Sequence, residues 1–143
     1  MKTIFQFLAI PLLLLSFSCE EKKYSISTSS IQEKKSLSEV TRVHIDGVFN
    51  LILIQSDQES IEVEGDEELI KKILIDQDGD LLTISMEEDI ADNFFIKEEL
   101  RITLSLKDLK ELKYDGVGNV KTNGIFKVDQ VRLIGTGVGN LEL

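Results

Sequence analysis

The chain has 143 residues, a formal net charge of −10 and a single cysteine. This length supports one domain, and a lone cysteine excludes a disulfide within the chain. So acidic a protein repels phosphate backbones, which argues against binding to nucleic acid. With one histidine and one thiol, neither a histidine-based zinc site nor a nucleophile–histidine pair can be assembled. We therefore expect no such enzyme chemistry and no cofactor.

The first residues combine Lys2 with an apolar run over residues 4–15 and a segment of small residues that ends at Cys19. This pattern is typical of a secretory signal peptide, and the run is shorter than the about 20 residues that a transmembrane helix needs. A cysteine directly after the cut resembles a bacterial lipoprotein signal, in which the thiol carries acyl chains such as palmitate. We expect a signal peptide over residues 1–18 and lipid attachment at Cys19, although Ser16 stands where such signals usually carry leucine.

Residues 19–38 are rich in serine, lysine and glutamate and show no sustained periodicity. Such a composition predicts a flexible tether between the lipid and a folded domain. Glu20 and Glu21 resemble the acidic residues that direct some lipoproteins to the outer surface of Gram-negative bacteria. The sequence thus predicts an exported protein that is anchored by lipid to the cell envelope, at the outer membrane, on its periplasmic or its surface face.

The pattern changes at residue 39, where apolar and polar residues begin to alternate between turn residues. Alternation with a period of two and many β-branched residues predicts strands. The clearest strand patterns cover residues 43–46, 48–54, 61–64, 81–86 and 100–106. Residues 66–73 differ, because acids precede lysines there, and they predict one or two helical turns. We expect residues 39–143 to form an all-β domain that contains one short helix.

A glycine-rich pentad occurs twice, as DGVGN at residues 115–119 and as TGVGN at residues 136–140. A fixed period of about 20 residues is typical of a solenoid, so the repeat predicts a parallel β-helix-like fold. A phosphate-binding loop would need a helix after the glycines, and strand-like residues follow both pentads. The predicted corner residues are Gly116, Gly118, Asn119, Gly137, Gly139 and Asn140.

Three stretches in this order resemble a known family: residues 48–55, residues 61–66 and the glycine pentads. The resemblance covers about residues 40–143 and is to the head GIN domain, also described as a putative auto-transporter adhesin domain of Gram-negative bacteria. It implies an exported, often lipid-anchored protein with a β-helix-like fold and no enzymatic activity. Family members usually continue through further glycine coils, so the domain is expected to be truncated at its C-terminus or capped by another chain.

Alternating carboxylates at Asp76, Asp78 and Asp80 are the sharpest candidate for a metal site. A calcium loop of the EF-hand type carries glycine at its sixth position, whereas Gly79 stands at the fourth position here. A hairpin turn at residues 78–79 is the favoured interpretation, with the calcium site as the weaker alternative.

These features predict a non-enzymatic protein with a structural or adhesive role that binds a protein or glycan partner. The scarcity of aromatic residues, with no tryptophan and two tyrosines, favours a protein partner. The alternative is an envelope domain that binds a small molecule or a polysaccharide in a defined pocket. An open strand at the C-terminal edge also predicts a homo-oligomer.

Overall fold

The computed structural model describes residues 30–87 and 100–143, which form strands and one short helix. The leader, Cys19 and the first part of the predicted tether lie outside the described residues. The strands are β1 (Ser30–Ser36), β2 (Arg42–Val48), β3 (Asn50–Gln55), β4 (Ser60–Asp66), β5 (Ile73–Asp78), β6 (Leu81–Met86), β7 (Arg101–Leu106), β8 (Glu111–Val117), β9 (Val120–Thr122), β10 (Arg132–Gly135) and β11 (Leu141–Glu142). Helix α1 (Glu67–Ile70) joins β4 to β5.

The strands form two mixed sheets that share one apolar core. The six-stranded sheet has the order β1-β4-β7-β3-β9-β11, and the five-stranded sheet has the order β10-β8-β2-β6-β5. The strands β7, β3, β9 and β11 pair in parallel, as do β6, β2, β8 and β10, whereas β1, β4 and β5 pair antiparallel. The prediction of an all-β domain with one short helix is confirmed.

Three successive strand pairs each pass from the five-stranded sheet to the six-stranded sheet around a corner. These pairs are β2–β3, β8–β9 and β10–β11, and we call them the first, second and third levels. Each level pairs in parallel with the next in both sheets. On the other side of the first level, β6 and β7 continue the parallel pairing.

Alternation along the strands places one face of each sheet in the core, because successive side chains of a strand point to opposite sides. Leu51, Ile102 and Leu104 on neighbouring strands are completely buried, and Leu82 and Ile84 fill the matching face of the other sheet. Burial of each such side chain contributes about 2 kcal/mol. No polar or charged residue is buried in the part of the chain that the structure describes, so apolar burial and backbone pairing stabilise the fold.

Helix α1 begins where the acidic stretch of the sequence predicts it. The side chain of Asp66 accepts hydrogen bonds from the backbone N–H groups of Glu68 and Leu69, at 2.9 and 3.3 Å. Lys71 follows the helix and forms an ion pair with Glu67 at 2.9 Å. An N-terminal cap and a cation at the other end stabilise a helix of this length. The predicted helix at residues 66–73 is confirmed, and among the described residues no helix is long and apolar enough to cross a bilayer.

Strand β1 differs from the expectation that residues 19–38 form a flexible tether. Residues 30–36 pair antiparallel with β4 along its whole length, from Ser30 opposite Asp66 to Ser36 opposite Ser60. Residues 32–36 are exposed, as is usual for a charged strand at the edge of a sheet. Because such an edge strand buries little, its composition resembles that of a linker, and the sequence pattern alone did not reveal it.

Strands β5 and β6 form the hairpin that the sequence predicts around residues 78–79. They pair antiparallel from Ile73 opposite Met86 to Asp78 opposite Leu81. Gly79 has φ +58°, a left-handed conformation that glycine adopts without steric cost. The hairpin-turn interpretation of this segment is confirmed.

Candidate functional site

The corners of the three levels lie one above another. Gly47 is opposite Gly116 and Val48 is opposite Val117 in the parallel register, and Val117 forms a bridge with Val138. Backbone hydrogen bonds join the last two corners, from the N–H of Gly118 to the carbonyl of Val138 at 3.0 Å and from the N–H of Val138 to the carbonyl of Gly116 at 2.8 Å. The two pentads that the sequence singles out therefore occupy adjacent levels.

A third copy of the pentad was missed by sequence reasoning. Residues 46–50 read DGVFN and form the corner of the first level, with Phe49 in the place that Gly118 has in the second level. Strands β4 to β7, which contain no such pentad, lie between this copy and the other two in the chain. A search for repeats at a fixed period of 21 residues therefore does not find it. The signal that identifies it is the pattern shared by all three copies, glycine and valine followed by any residue and asparagine, with aspartate before the glycine in the first two.

Close backbone approach explains the glycines at these corners. A Cβ atom added to Gly116 would lie 1.9 Å from the carbonyl oxygen of Gly47, and one added to Gly137 would lie 2.0 Å from that of Gly116. Gly118 also has φ +145°, and a Cβ there would lie 2.1 Å from the carbonyl oxygen of Phe49. No side chain fits at these positions without displacing the neighbouring level.

Asparagines continue the stacking beyond each corner. The Oδ1 atom of Asn50 accepts hydrogen bonds from the backbone N and the Nδ2 of Asn119, at 2.9 and 3.2 Å. The Oδ1 of Asn119 accepts in the same way from the N and Nδ2 of Asn140, at 3.2 and 3.1 Å. We call Asn50, Asn119 and Asn140 the asparagine row, because one side chain per level forms a single hydrogen-bonded line along the stack.

A polar groove with a volume of about 370 Å³ runs beside this row, and we call it the asparagine groove. Its wall includes Arg101, whose Nη1 lies 3.2 Å from Oε2 of Glu64, together with Lys121 on β9 and Glu142 on the edge strand β11. Lys121 is exposed to solvent. The groove thus offers amide groups and charges of both signs at the regular spacing of parallel strands, about 4.8 Å.

The third level is the last one among the described residues, and its outer side carries an apolar surface, which we call the open end. A second groove, of about 350 Å³, lies there between Leu112, Tyr114, Leu133 and Leu141. Leu133 is 43% exposed and Leu141 is 51% exposed. Tyr114 is buried, its hydroxyl donates a hydrogen bond to the carbonyl oxygen of Phe49 at 3.2 Å, and desolvation raises the pKa of its phenol.

The single histidine lies on the outer face of the five-stranded sheet and connects two levels. The Nε2 of His44 lies 2.9 Å from Oε1 of Glu111, and Arg132 of the third level lies 3.9 Å from the other oxygen of that carboxylate. The hydrogen bond with His44, followed by the charges of Arg132 and Arg42, lowers the pKa of Glu111. This contact ties β2, β8 and β10 together and provides no nucleophile.

The three candidate metal ligands have different surroundings. Asp80 accepts hydrogen bonds from Nη2 of Arg42 and Oγ1 of Thr41, both at 2.7 Å, and these contacts hold the pKa of its carboxyl well below its usual range. Asp76 and Asp78 lie exposed on β5. Among the described residues, no group of three or more histidine, cysteine, aspartate or glutamate side chains is arranged to hold a metal ion.

Two mixed sheets that share one core and are joined by glycine corners define the class to which the protein belongs, an all-β domain. The sequence of residues 39–143 matches the family described as "Putative auto-transporter adhesin, head GIN domain", and the chain belongs to this family. The resemblance stated from the sequence is thereby confirmed. No curated protein matches the chain.

Solved structures of similar fold support this assignment. A "putative adhesin" from Bacteroides fragilis has a TM-score of 0.72 at 21% identity, over 80% of this chain and 53% of that one. A "putative adhesin" from Parabacteroides merdae has a TM-score of 0.63 at 25% identity, over 74% and 43% of the two chains. A "putative lipid binding protein" from Parabacteroides distasonis has a TM-score of 0.66 at 22% identity, over 80% and 49%. The chain thus spans about half the length of each of these three solved structures.

Proposed function

We propose that this chain is a non-enzymatic adhesive protein of the cell envelope, held at the membrane by lipid on Cys19, that binds a protein partner through the asparagine groove. The observation that carries the proposal is the asparagine row, in which Asn50, Asn119 and Asn140 repeat the same amide group level by level. A repeated surface suits adhesion, because several weak contacts at matched spacing add up to firm attachment.

The levels are best understood as turns of a short β-solenoid. Parallel pairing of the three levels in both sheets, the direct contact of Gly116 with Gly47 and of Gly137 with Gly116, and the continuous asparagine row support this interpretation. A solenoid presents long, regular faces to a partner. The antiparallel strands β1, β4 and β5 complete the two sheets outside the repeated levels.

The partner class follows from the side chains at the groove. Sites for sugars commonly stack the ring on an exposed aromatic side chain, but the chain has no tryptophan and Tyr114 is buried in the core. Amide groups with Lys121 and Glu142 instead suit the polar rim of a protein interface. The polar lining of the groove also supports the second candidate, polysaccharide binding, since amides and charges pair with hydroxyl-rich chains.

Adhesion of cells that express the full chain to surfaces coated with mucin, fibronectin or collagen tests the role of the groove. We expect Lys121→Glu to reduce adhesion several-fold, because it reverses an exposed charge at the groove wall. Lys113→Glu is the matched control, since Lys113 is equally an exposed lysine but lies on the five-stranded sheet. Equal effects of the two variants, or no adhesion of the wild type to any of these surfaces, would overturn the proposal. Loss of adhesion after enzymatic removal of the glycans would assign a glycan partner.

Fractionation of cells tests the anchor separately. Cys19→Ser removes the thiol that would carry the acyl chains, so the protein is expected to move from the membrane fraction to the soluble fraction. An unchanged membrane fraction would refute lipid attachment at Cys19.

A further inference from the structure

We propose that the corners of the levels, at residues 46–50, 115–119 and 136–140, face the membrane and contact neutral phospholipid through their valines. We call this side of the domain the corner end. The orientation depends on the lipid attachment at Cys19, which is part of the proposed function. Two features of the fold support it: the point at which the chain enters the domain and the side chains that the corners expose.

The chain enters the folded domain at the corner end. Gln32 of β1 is opposite Glu64 in β4, and Glu64 is opposite Arg101 in β7. Arg101 is in turn opposite Asn50, which begins β3 directly after the corner of the first level. Ser30, the first residue of β1, lies two positions beyond Gln32 on the side of the corners. The segment that leads back to Cys19 therefore leaves the domain at the corner end.

The covalent chain limits the distance between this end and the lipid. Ser30 follows Cys19 by eleven positions, and a chain spans at most about 3.5 Å per residue, so Ser30 lies within about 40 Å of the attachment point. Strand β8 has seven residues and extends about 23 Å from the corner end to the opposite end. A domain turned the other way would use more than half of that reach to hold Ser30 above the bilayer. The corner end therefore comes nearest to the membrane.

The corners expose a line of valines. Val48, Val117 and Val138 occupy the same position in the three corners and lie one above another. Their neighbours in the chain are glycines, except for Phe49, which is buried. Val117 is 50% exposed although a level packs on each side of it, so its exposure does not depend on the end of the stack. The valines thus form an apolar line at the corner end.

Backbone pairing makes the corners suitable for contact with lipid. The N–H of Phe49 donates a hydrogen bond to the carbonyl of Val117 at 3.1 Å, and the N–H of Gly118 donates one to the carbonyl of Val138 at 3.0 Å. Burial of a polar group costs free energy mainly where the group has no hydrogen-bond partner. Because these backbone groups pair between levels, the valines can leave water without stranding them.

Charge near the corners selects the kind of lipid. Asp46 and Asp115 are exposed and stand two positions before Val48 and Val117. Their carboxylates repel an anionic headgroup, and the net charge of −10 acts in the same direction. A neutral headgroup such as phosphatidylcholine avoids this repulsion while the valines gain burial in the interface.

Tryptophan fluorescence tests the orientation, because the chain has no tryptophan and a substitution introduces a single fluorophore. The lipidated full chain is reconstituted into vesicles of brominated phosphatidylcholine, which quenches tryptophan at the bilayer. We expect Val117→Trp to be quenched several-fold more than a tryptophan at the opposite end. Val138→Trp, at a position that is 72% exposed, is a second probe of the same line and is expected to be quenched in the same way.

Ile125→Trp is the matched control at the opposite end. Ile125 is 81% exposed, and its loop is held at Lys127 by Gln55, the last residue of β3. Tryptophan itself favours the membrane interface, but all these variants share that preference, so the difference between them reports position. Circular dichroism checks that each variant keeps the fold.

Flotation of the vesicles separates the orientation from the anchor. A lipidated chain that does not float with the vesicles would overturn the anchor and this orientation together. A chain that floats but is quenched equally at both ends, more strongly at Ile125→Trp, or not at all at Val117→Trp and Val138→Trp would overturn the orientation alone. Phosphatidylglycerol added to the vesicles is expected to reduce the quenching at Val117→Trp, and an increase would contradict the preference for neutral lipid.

Discussion

The two ends of the stack differ in how their edges are covered. At one end the chain reverses direction: β5 pairs antiparallel with β6, β4 pairs antiparallel with β7, and the exposed, charged strand β1 covers β4. At the other end β10 and β11 continue the parallel repeat and expose leucines. A repeated level cannot close its own stack, because the edge it presents matches the edge it covers.

Replacement of a corner glycine by valine is expected to lower the free energy of unfolding more than any other change proposed here. The loss is expected to be larger at Gly118, inside the stack, than at Gly139 in the third level. At Gly118 a Cβ would lie 2.1 Å from the carbonyl oxygen of Phe49, and φ is +145°, so Gly118→Val is expected to lower the free energy of unfolding by about 4 kcal/mol or more. At Gly139 an added Cβ atom would lie 1.7 Å from the carbonyl oxygen of Gly118. Because the third level can detach locally, Gly139→Val is expected to lower the free energy of unfolding by only about 1–2 kcal/mol. Urea unfolding measures both, and equal losses would contradict the distinction.

Truncation of a leucine to alanine is expected to lower the free energy of unfolding by an intermediate amount, and by more inside the stack than in the third level. Leu104 on β7 is completely buried, so Leu104→Ala is expected to cost about 3 kcal/mol through lost burial and the cavity that remains. Leu133 on β10 is 43% exposed, and Leu133→Ala is expected to cost less than about 1 kcal/mol. Thermal unfolding at low protein concentration measures the difference. A larger loss at Leu133 would show that the third level belongs to the stable part of the core.

The smallest expected effect concerns a charged contact near β6. Arg42 and Thr41 lower the pKa of Asp80 in the folded chain, so this contact stabilises the protein above the ordinary pKa of aspartate, about 4, and its contribution is lost as the pH falls below that value. Asp80→Asn should therefore lower the urea midpoint slightly at pH 7 and flatten its decline toward pH 3. Asp78→Asn, at an exposed position on β5, is the control. Parallel pH profiles for wild type and Asp80→Asn would contradict this role.

Local patterns of the sequence predicted the elements better than their arrangement. The alternation in residues 100–106 and the acid-to-lysine order in residues 66–73 indicate a strand and a helix because burial and capping act on neighbours in the chain. The order of strands could not be predicted, because β7 lies between β4 and β3 through contacts that are distant in sequence. Strand β1 was not predicted for a related reason: its pairing with β4 stabilises it, and its own composition does not indicate a strand.

In the candidate site, too, the residues with a local sequence pattern were predicted and those brought together by contacts distant in sequence were not. Asn119 and Asn140 were found because their pentads are near in sequence and nearly identical. Asn50 was missed, since Phe49 replaces the second glycine of its pentad and its level is formed from an early part of the chain. The alternation of residues 100–106 places Arg101 on a strand but does not mark it as a site residue, and the pairing of β3 with β7 brings it to the groove.

The side chain of Gln55 holds the loop between β9 and β10. Gln55 accepts a hydrogen bond from the N–H of Lys127 and donates one to its carbonyl, both at 2.9 Å, so a side-chain amide fastens the loop where a strand would otherwise be needed. Near the loop's start, a Cβ atom added to Gly124 would meet no heavy atom beyond its chain neighbours within 4 Å, and Ile125 is 81% exposed. The open space around Gly124 and Ile125 makes this stretch a suitable place to insert a short epitope tag.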